Sequence, residues 1–267
     1  MTAKQNKKIA IIGGGNLGTS IAKGLVNSQF PAYNITVTRR KVERLQALAE
    51  LGISTTSDNI KAVNSSNIII IALKPYRLNA VLKEISNSLN PEKHILVSLV
   101  SGISIEKIKA GLNPDLPIFR AMPNTAIAIN ESMTCIAAPK ATDNQKDTLT
   151  ALFKGLGRSI IINEEMMDAA TVLAACGIAF VMRFIRAMVQ GGIEIGFDSK
   201  TASQIANQTV KGAAELLIQN GLHPEEEIDK VTTPKGFTIS GLNEMEHNGF
   251  SSSLIKGILT SYNKIDQ

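Results

Sequence analysis

Lys8-Ile9-Ala10-Ile11-Ile12-Gly13-Gly14-Gly15-Asn16-Leu17-Gly18 is the stretch whose reading settles the fold class. Its first half is a short unbroken apolar run, the pattern of a strand covered on both faces. Its second half is a glycine turn that opens a helix. Gly13 permits a tight turn, Gly15 lets a pyrophosphate approach the backbone, and Gly18 lets the helix pack close on the strand. Asn16 and Leu17 stand at the helix start, where orphan N–H groups face negative charge. Glycine turns without function share this spacing. Context gives it meaning: a strand before, a helix after, and alternation beyond.

That alternation runs outward through the first part of the chain. Apolar runs at Ile35–Thr38, Asn67–Leu73, Ile95–Ser98, Ile118–Ala121, Met133–Ala137 and Ser159–Ile162 read as strands. Helices are expected at Asn16–Ser28, Lys41–Glu50, Leu78–Leu89, Ser104–Gly111 and Asp143–Gly155. The fold class is α/β: a Rossmann-type, mostly parallel sheet domain over residues 1–163. From Glu164 no strand pattern remains, and residues 164–267 read as an all-α domain. Its first helix spans Glu164–Met188. Asp198 and Gly221 punctuate the second as N-cap and stop, Pro224 opens a short acidic third, and two more cover Thr233–Asn248 and Ser251–Tyr262. Val172, Leu173, Ile178, Phe180, Val181, Phe184, Ile185 and Met188 exceed what so small a core needs, which implies packing against a second copy.

Bulk composition excludes several classes. With 44% hydrophobic and 19% charged residues the chain is a folded soluble type, and with no Trp its core is aliphatic. The net charge of +5 comes from scattered Lys and Arg without interleaved aromatics, which argues against a nucleic-acid surface. Met1 to Lys8 is polar and basic, unlike a signal peptide. The apolar run Ala169–Met182, followed by Arg183 and Arg186, reads as too short for a bilayer. Two cysteines, Cys135 and Cys176, form no framework or metal spacing, and a reducing cytoplasm is expected. His94, His223 and His247 read as structural or surface residues.

Two stretches carry candidate chemistry. An NAD site usually ends its second strand in an acid that accepts from the ribose 2′-hydroxyl. Here that strand ends Thr38-Arg39-Arg40, and guanidiniums clamp a 2′-phosphate, so NADPH is favoured with NADH the weaker donor. The alternative reading of both arginines is a solvated helix start. Ala72-Leu73-Lys74-Pro75 leaves the Ile-rich strand at the carboxyl edge, where ligands bind in open α/β sheets. The second stretch is Thr232-Thr233-Pro234-Lys235-Gly236-Phe237-Thr238. Thr233 fits an N-cap, Pro234 the first helical position, and Gly236 leaves the first-turn N–H groups uncovered. An ordinary capped helix in an all-α domain fits the same residues.

At these residues the chain resembles the pyrroline-5-carboxylate reductase family. The family's Val-x-Ser/Thr-Pro-Gly-Gly-x-Thr-x-x-Gly-Leu-x-x-Leu/Met-Glu signature stands here as Val231 to Glu246. Asp58-Asn59, Ala72 to Pro75, Ser101 to Ile105 and Arg120-Ala121-Met122-Pro123-Asn124-Thr125 agree in order, so the resemblance covers nearly the whole chain. It implies hydride transfer from NADPH to the carbon of a cyclic imine carboxylate, giving L-proline. It also implies a homodimer or higher oligomer through the C-terminal helices, with each active site shared between subunits. Thr238 would hydrogen-bond the ring nitrogen, Thr233 with the N–H groups of Gly236 and Phe237 would hold the carboxylate, and Asn59 would join the cofactor site. Lys235 replaces the usual glycine. Ala174-Ala175-Cys176-Gly177-Ile178-Ala179 replaces Ser-Gly-Ser-Gly-Pro-Ala, and without that proline a straighter helix is expected. The rival readings are an imine reductase for another ring size and a non-catalytic NADP-binding sensor. A β-hydroxyacid dehydrogenase would need a lysine on the long helix, and Ala169–Gln190 has none.

Overall fold

The computed structural model describes residues 7–112 and 116–265. Residues 1–6 of the polar opening stretch, read above as unlike a signal peptide, lie outside the described residues. Contacts divide the chain into two compact units. The first runs to Cys176 and takes in the chain again from Tyr262; the second is Gly177–Ser261. This division falls later than the sequence expectation because Met167 and Ala175 pack with Met122, Ala137 and Ile162 of the sheet unit.

Eight strands form one sheet in the first unit: β1 Ile9–Ile12, β2 Ile35–Thr38, β3 Ser54–Thr56, β4 Ile68–Ile71, β5 Ile95–Ser98, β6 Ile118–Met122, β7 Ser132–Ala137 and β8 Gly157–Ile161. Their order is β3-β2-β1-β4-β5-β6-β7-β8. Pairing is parallel from β3 to β6, antiparallel between β6 and β7, and parallel between β7 and β8. Ile12 pairs with Thr38 on one side and Ile71 on the other, so three strands end level. The crossovers carry α1 Asn16–Asn27, α2 Gln46–Ala49, α3 Asn59–Asn64, α4 Pro75–Ile85, α5 Ile105–Lys109 and α6 Asp143–Lys154, and α7 Met167–Ala170 follows β8.

Continuous apolar strands are required because both sheet faces are covered. Ile9, Ile11 and Ile70 join one core layer with Ile21, Leu25, Phe119 and Phe153. Ala10, Ile12, Ile69 and Ile71 join the opposite layer with Leu78, Leu82 and Ile85. Each fully buried Ile contributes about 1.5–3 kcal/mol of transfer free energy. Strand β3 escaped the sequence reading because Ser54, Thr55 and Thr56 are exposed or half-buried edge residues without an apolar signal. The helix expected at Lys41–Glu50 is a 3₁₀ turn, Val42–Leu45, followed by the four-residue α2.

The second unit is helical: α8 Gly177–Glu194, α9 Ser199–Asn220, α10 Pro224–Lys230, α11 Phe237–His247 and α12 Phe250–Asn263. Asp198 caps α9 by accepting from the N–H groups of Lys200 and Thr201; the Thr201 side chain, then these N–H groups, hold its carboxyl below the usual range. Gly221 ends α9 in the left-handed conformation. The core is small: Val189, Ala202 and Ala206, with Ile185 and Met188 against them. Val181, Met182, Ile193, Ile195, Leu216 and Leu254 stay exposed. Val172, counted above with that surplus, is instead buried in the first unit. An apolar groove of about 690 Å³ is lined by Phe180, Val181, Phe184, Met245, Phe250 and Leu254.

The helix expected over Glu164–Met188 is not regular throughout: Thr171–Cys176 is a π turn between α7 and α8. The amide of Asn124 donates to the Ala174 carbonyl, which lies within that turn. By length and composition alone, the helical run Glu164–Glu194 is also long and apolar enough to cross a membrane. A run of Ala169–Met182 alone is too short to span, but the apolar face continues past Arg183 through Ile185, Met188, Val189 and Ile193.

Candidate functional site

The glycine turn sits where β1 ends, between β2 and β4, at the point where strand order reverses. Gly13 has φ +114°, and a Cβ there would overlap the Ala72 carbonyl oxygen and lie 2.8 Å from Leu73 Cδ2. A Cβ on Gly18 would overlap the Gly13 carbonyl oxygen, so α1 packs against the turn itself as well as against Ile11. Gly15 is different: nothing lies within 4 Å of its would-be Cβ. It is the N-cap of α1, with no side-chain capping bond, which leaves the N–H groups of Asn16, Leu17 and Gly18 without an intrahelical partner. The N–H groups of Gly13 and Gly14 both donate to Thr38 O, at 3.3 and 2.7 Å, tying the cradle to the end of β2. An open glycine face above an uncapped helix fits the pyrophosphate of a dinucleotide.

The end of β2 arranges the predicted arginines unequally. Arg39 is half-buried, and its Nη1 donates to Gly14 O at 2.6 Å, while Arg40 is exposed. Asn59 begins α3. Its Oδ1 accepts from Thr38 Oγ1 at 2.6 Å, and its Nδ2 donates to both carboxylate oxygens of Glu84 at 3.0 and 3.1 Å. Glu84 is a neighbour the sequence reading missed. It lies on α4, far along the chain from β2, and no local pattern marks it. Lys74 is the N-cap of α4 and Pro75 its first residue, both exposed at the same edge.

The second stretch differs locally from its expectation. Helix α11 starts at Phe237 with Gly236 as N-cap, so Thr233 is not the cap and Pro234 is not helical. Thr233 to Gly236 instead form a turn, closed by the Gly236 N–H donating to Thr233 O at 2.9 Å. Pro234 presets its second position and Lys235 takes the third with φ +59°. The Gly236 N–H is therefore engaged, and the free first-turn donors belong to Phe237, Thr238 and Ile239. A Cβ on Gly236 would lie 2.5 Å from Thr233 Oγ1, so only glycine admits that hydroxyl at the helix mouth. Phe237 is 99% exposed, and the side chains of Thr233 and Thr238 are exposed. Cradle and helix mouth belong to different units.

Other titratable groups serve structure. Arg120 is 4% exposed and pairs with Glu164 at 3.5 Å and Asp168 at 3.2 Å. Glu164 also accepts the Ile105 N–H at 2.6 Å. His94 is buried, with Nδ1 accepting from the Asn90 N–H; burial, then the Lys93 ammonium, lower its pKa. Burial pushes the Cys135 thiol up. His223 caps α10, and among the described residues no cluster of three His, Cys, Asp or Glu could hold a metal.

Comparison with known proteins adds to this geometry. A family model described as pyrroline-5-carboxylate reductase dimerisation matches residues 164–267, and one described as NADP oxidoreductase coenzyme F420-dependent matches residues 8–102. Pyrroline-5-carboxylate reductase 2 of Dictyostelium discoideum is 46% identical, over 98% of this chain and 93% of its own length. Pyrroline-5-carboxylate reductase 1 of the same organism is 49% identical over 96% of this chain, which spans about half (49%) of that relative's length. The crystal structure of Plasmodium falciparum pyrroline carboxylate reductase with NADP bound superposes with a TM-score of 0.90, covering 99% of this chain and 98% of that one; at 23% identity this shows the fold. With a relative this similar matched over nearly its full length, the chain belongs to the pyrroline-5-carboxylate reductase family.

Proposed function

We propose that this chain reduces 1-pyrroline-5-carboxylate to L-proline with NADPH. The observation that carries the reading is a pair of helix starts with glycine N-caps and no side-chain cap, α1 behind Gly15 and α11 behind Gly236. Helices α6 and α9, by contrast, close their first turns with the side chains of Thr142 and Asp198. NADPH, when bound, supplies the hydride. In this reading Gly13, Gly15, Asn16, Leu17 and Gly18 cradle its pyrophosphate. Arg39 and Arg40 meet the 2′-phosphate, and Asn59, Ala72, Leu73, Lys74 and Pro75 complete the wall.

The N–H groups of α11 and the Thr233 hydroxyl hold the substrate carboxylate. The Thr238 hydroxyl, on the first turn of α11, bonds the ring nitrogen and orders the path of the proton it takes up. A cyclic imine is basic enough to need no strong general acid, and much of the rate comes from holding donor and acceptor in line. We further read residues 1–163 as the NADP-binding domain and 164–267 as the dimerisation and substrate domain. The exposed apolar face of the helical unit is then an interface between copies rather than a membrane or nucleic-acid contact. The two free cysteines suit the cytoplasm.

The test is NADPH oxidation on adding the five-membered imine carboxylate, run in parallel with NADH and with the six-membered imine. Folded protein that oxidises NADPH with neither ring refutes the reading. Preference for the six-membered ring moves the substrate assignment. Thr238→Ala is expected to lower kcat by about 10- to 100-fold with NADPH affinity unchanged, as for loss of one transition-state hydrogen bond.

A further inference from the structure

We infer that Arg77 forms the facing wall of the 2′-phosphate pocket and sets the preference for NADPH over NADH; this rests on the cofactor reading above. Helix α4 buries Leu78, Val81, Leu82 and Ile85 against the sheet. Arg77 and Glu84 stand seven residues apart, so they share one flank of α4 to within about 20°. That flank is located by Glu84, whose carboxylate accepts from Asn59 Nδ2, while Asn59 Oδ1 accepts from Thr38 at the end of β2. Arg77 therefore lies on that same flank, about 10 Å nearer the start of α4. Helix α4 starts beyond the carboxyl end of β4, and Ile71 of β4 is level with Thr38 through their shared partner Ile12. By helix position Arg77 thus lies nearer than Glu84 to the ligand side of the sheet edge, where Arg39 and Arg40 leave β2.

Its chemistry suits an anion. Arg77 is half-buried, and among the described residues its side chain makes no hydrogen bond or ion pair. Arg39 already spends one Nη on Gly14 O, and Arg40 is exposed. The Glu84 carboxylate at Asn59 works against a 2′-phosphate, which carries about −1.5 to −2 charges near neutral pH. A guanidinium on the same flank as Glu84 offsets that carboxylate and supplies charge-assisted bonds.

The experiment measures NADPH and NADH binding to wild type, Arg77→Gln and Arg77→Lys by nicotinamide fluorescence, with adenosine 2′,5′-bisphosphate and adenosine 5′-phosphate as competitors. Arg77→Gln is expected to weaken NADPH and the bisphosphate by about 10- to 100-fold, the loss of a charge-assisted bond. NADH and the 5′-phosphate should move less than about twofold, and Arg77→Lys should recover part of the loss. Equal weakening of both dinucleotides, or no change, overturns the role of Arg77 and leaves the cofactor reading intact. Wild type that binds neither dinucleotide overturns both.

Discussion

Replacing Lys235 by glycine should stabilise the helical unit. Lys235 holds φ +59° as the third residue of the Thr233–Gly236 turn, a position that favours glycine. The left-handed conformation costs an L-residue about 1–2 kcal/mol. Glycine removes that cost but returns about 0.4–1 kcal/mol of freedom to the unfolded chain. The backbone gain is therefore about 0–1.6 kcal/mol, centred near ~0.8 kcal/mol. A second contribution comes from charge, because an ammonium beside the positive end of α11 is unfavourable by about 0.3–1 kcal/mol at low salt. Lys235→Ala separates the two, since it loses the ammonium and keeps the strained backbone. Thermal unfolding by circular dichroism, at low salt and near 1 M salt, reads both. Lys235→Gly should raise Tm by about 1–4 °C at high salt and by more at low salt, whereas Lys235→Ala should gain only at low salt. If the glycine variant is no more stable than the alanine variant at high salt, the strain assigned to Lys235 is wrong.

Gly18→Ala should disable the cofactor cradle, because its methyl group would overlap the Gly13 carbonyl oxygen and push α1 off the turn. NADPH titration should show at least tenfold weaker binding, and unaltered affinity would contradict the packing described. Arg120→Met should destabilise the sheet unit by about 3 kcal/mol, the low end for breaking a buried pair, since Glu164 and Asp168 retain some solvent. Urea unfolding reads this loss. His94 has a folded pKa below its ordinary 6.5, so the unfolded chain takes up the proton first. Stability should fall as pH drops below about 6.5 and level off once the lowered folded pKa is passed. His94→Asn, which keeps an acceptor for the Asn90 N–H, should flatten that slope in unfolding curves measured from pH 7.5 to 5.

What the sequence determined by itself was local and periodic. Unbroken runs such as Ile68–Ile71 mark strands covered on both faces, and the caps at Asp198 and Gly221 mark helix ends, because burial and capping act over a few residues. The glycine turn was legible for the same reason: Gly13 and Gly18 are demanded by contacts inside one strand-turn-helix unit. The tertiary structure decided what depends on distant partners. It shifted the start of α11 to Phe237, since the Thr233–Gly236 turn competes with the helix for Pro234 and Lys235. It engaged Asn59 between Thr38 and Glu84 and revealed β3, whose polar residues gain order only by pairing with β2. It also turned the start of the long helix into a π segment whose Ala174 carbonyl is met by Asn124. Propensity is summed along the chain, whereas these features are set by hydrogen bonds and packing between residues that meet only when it folds.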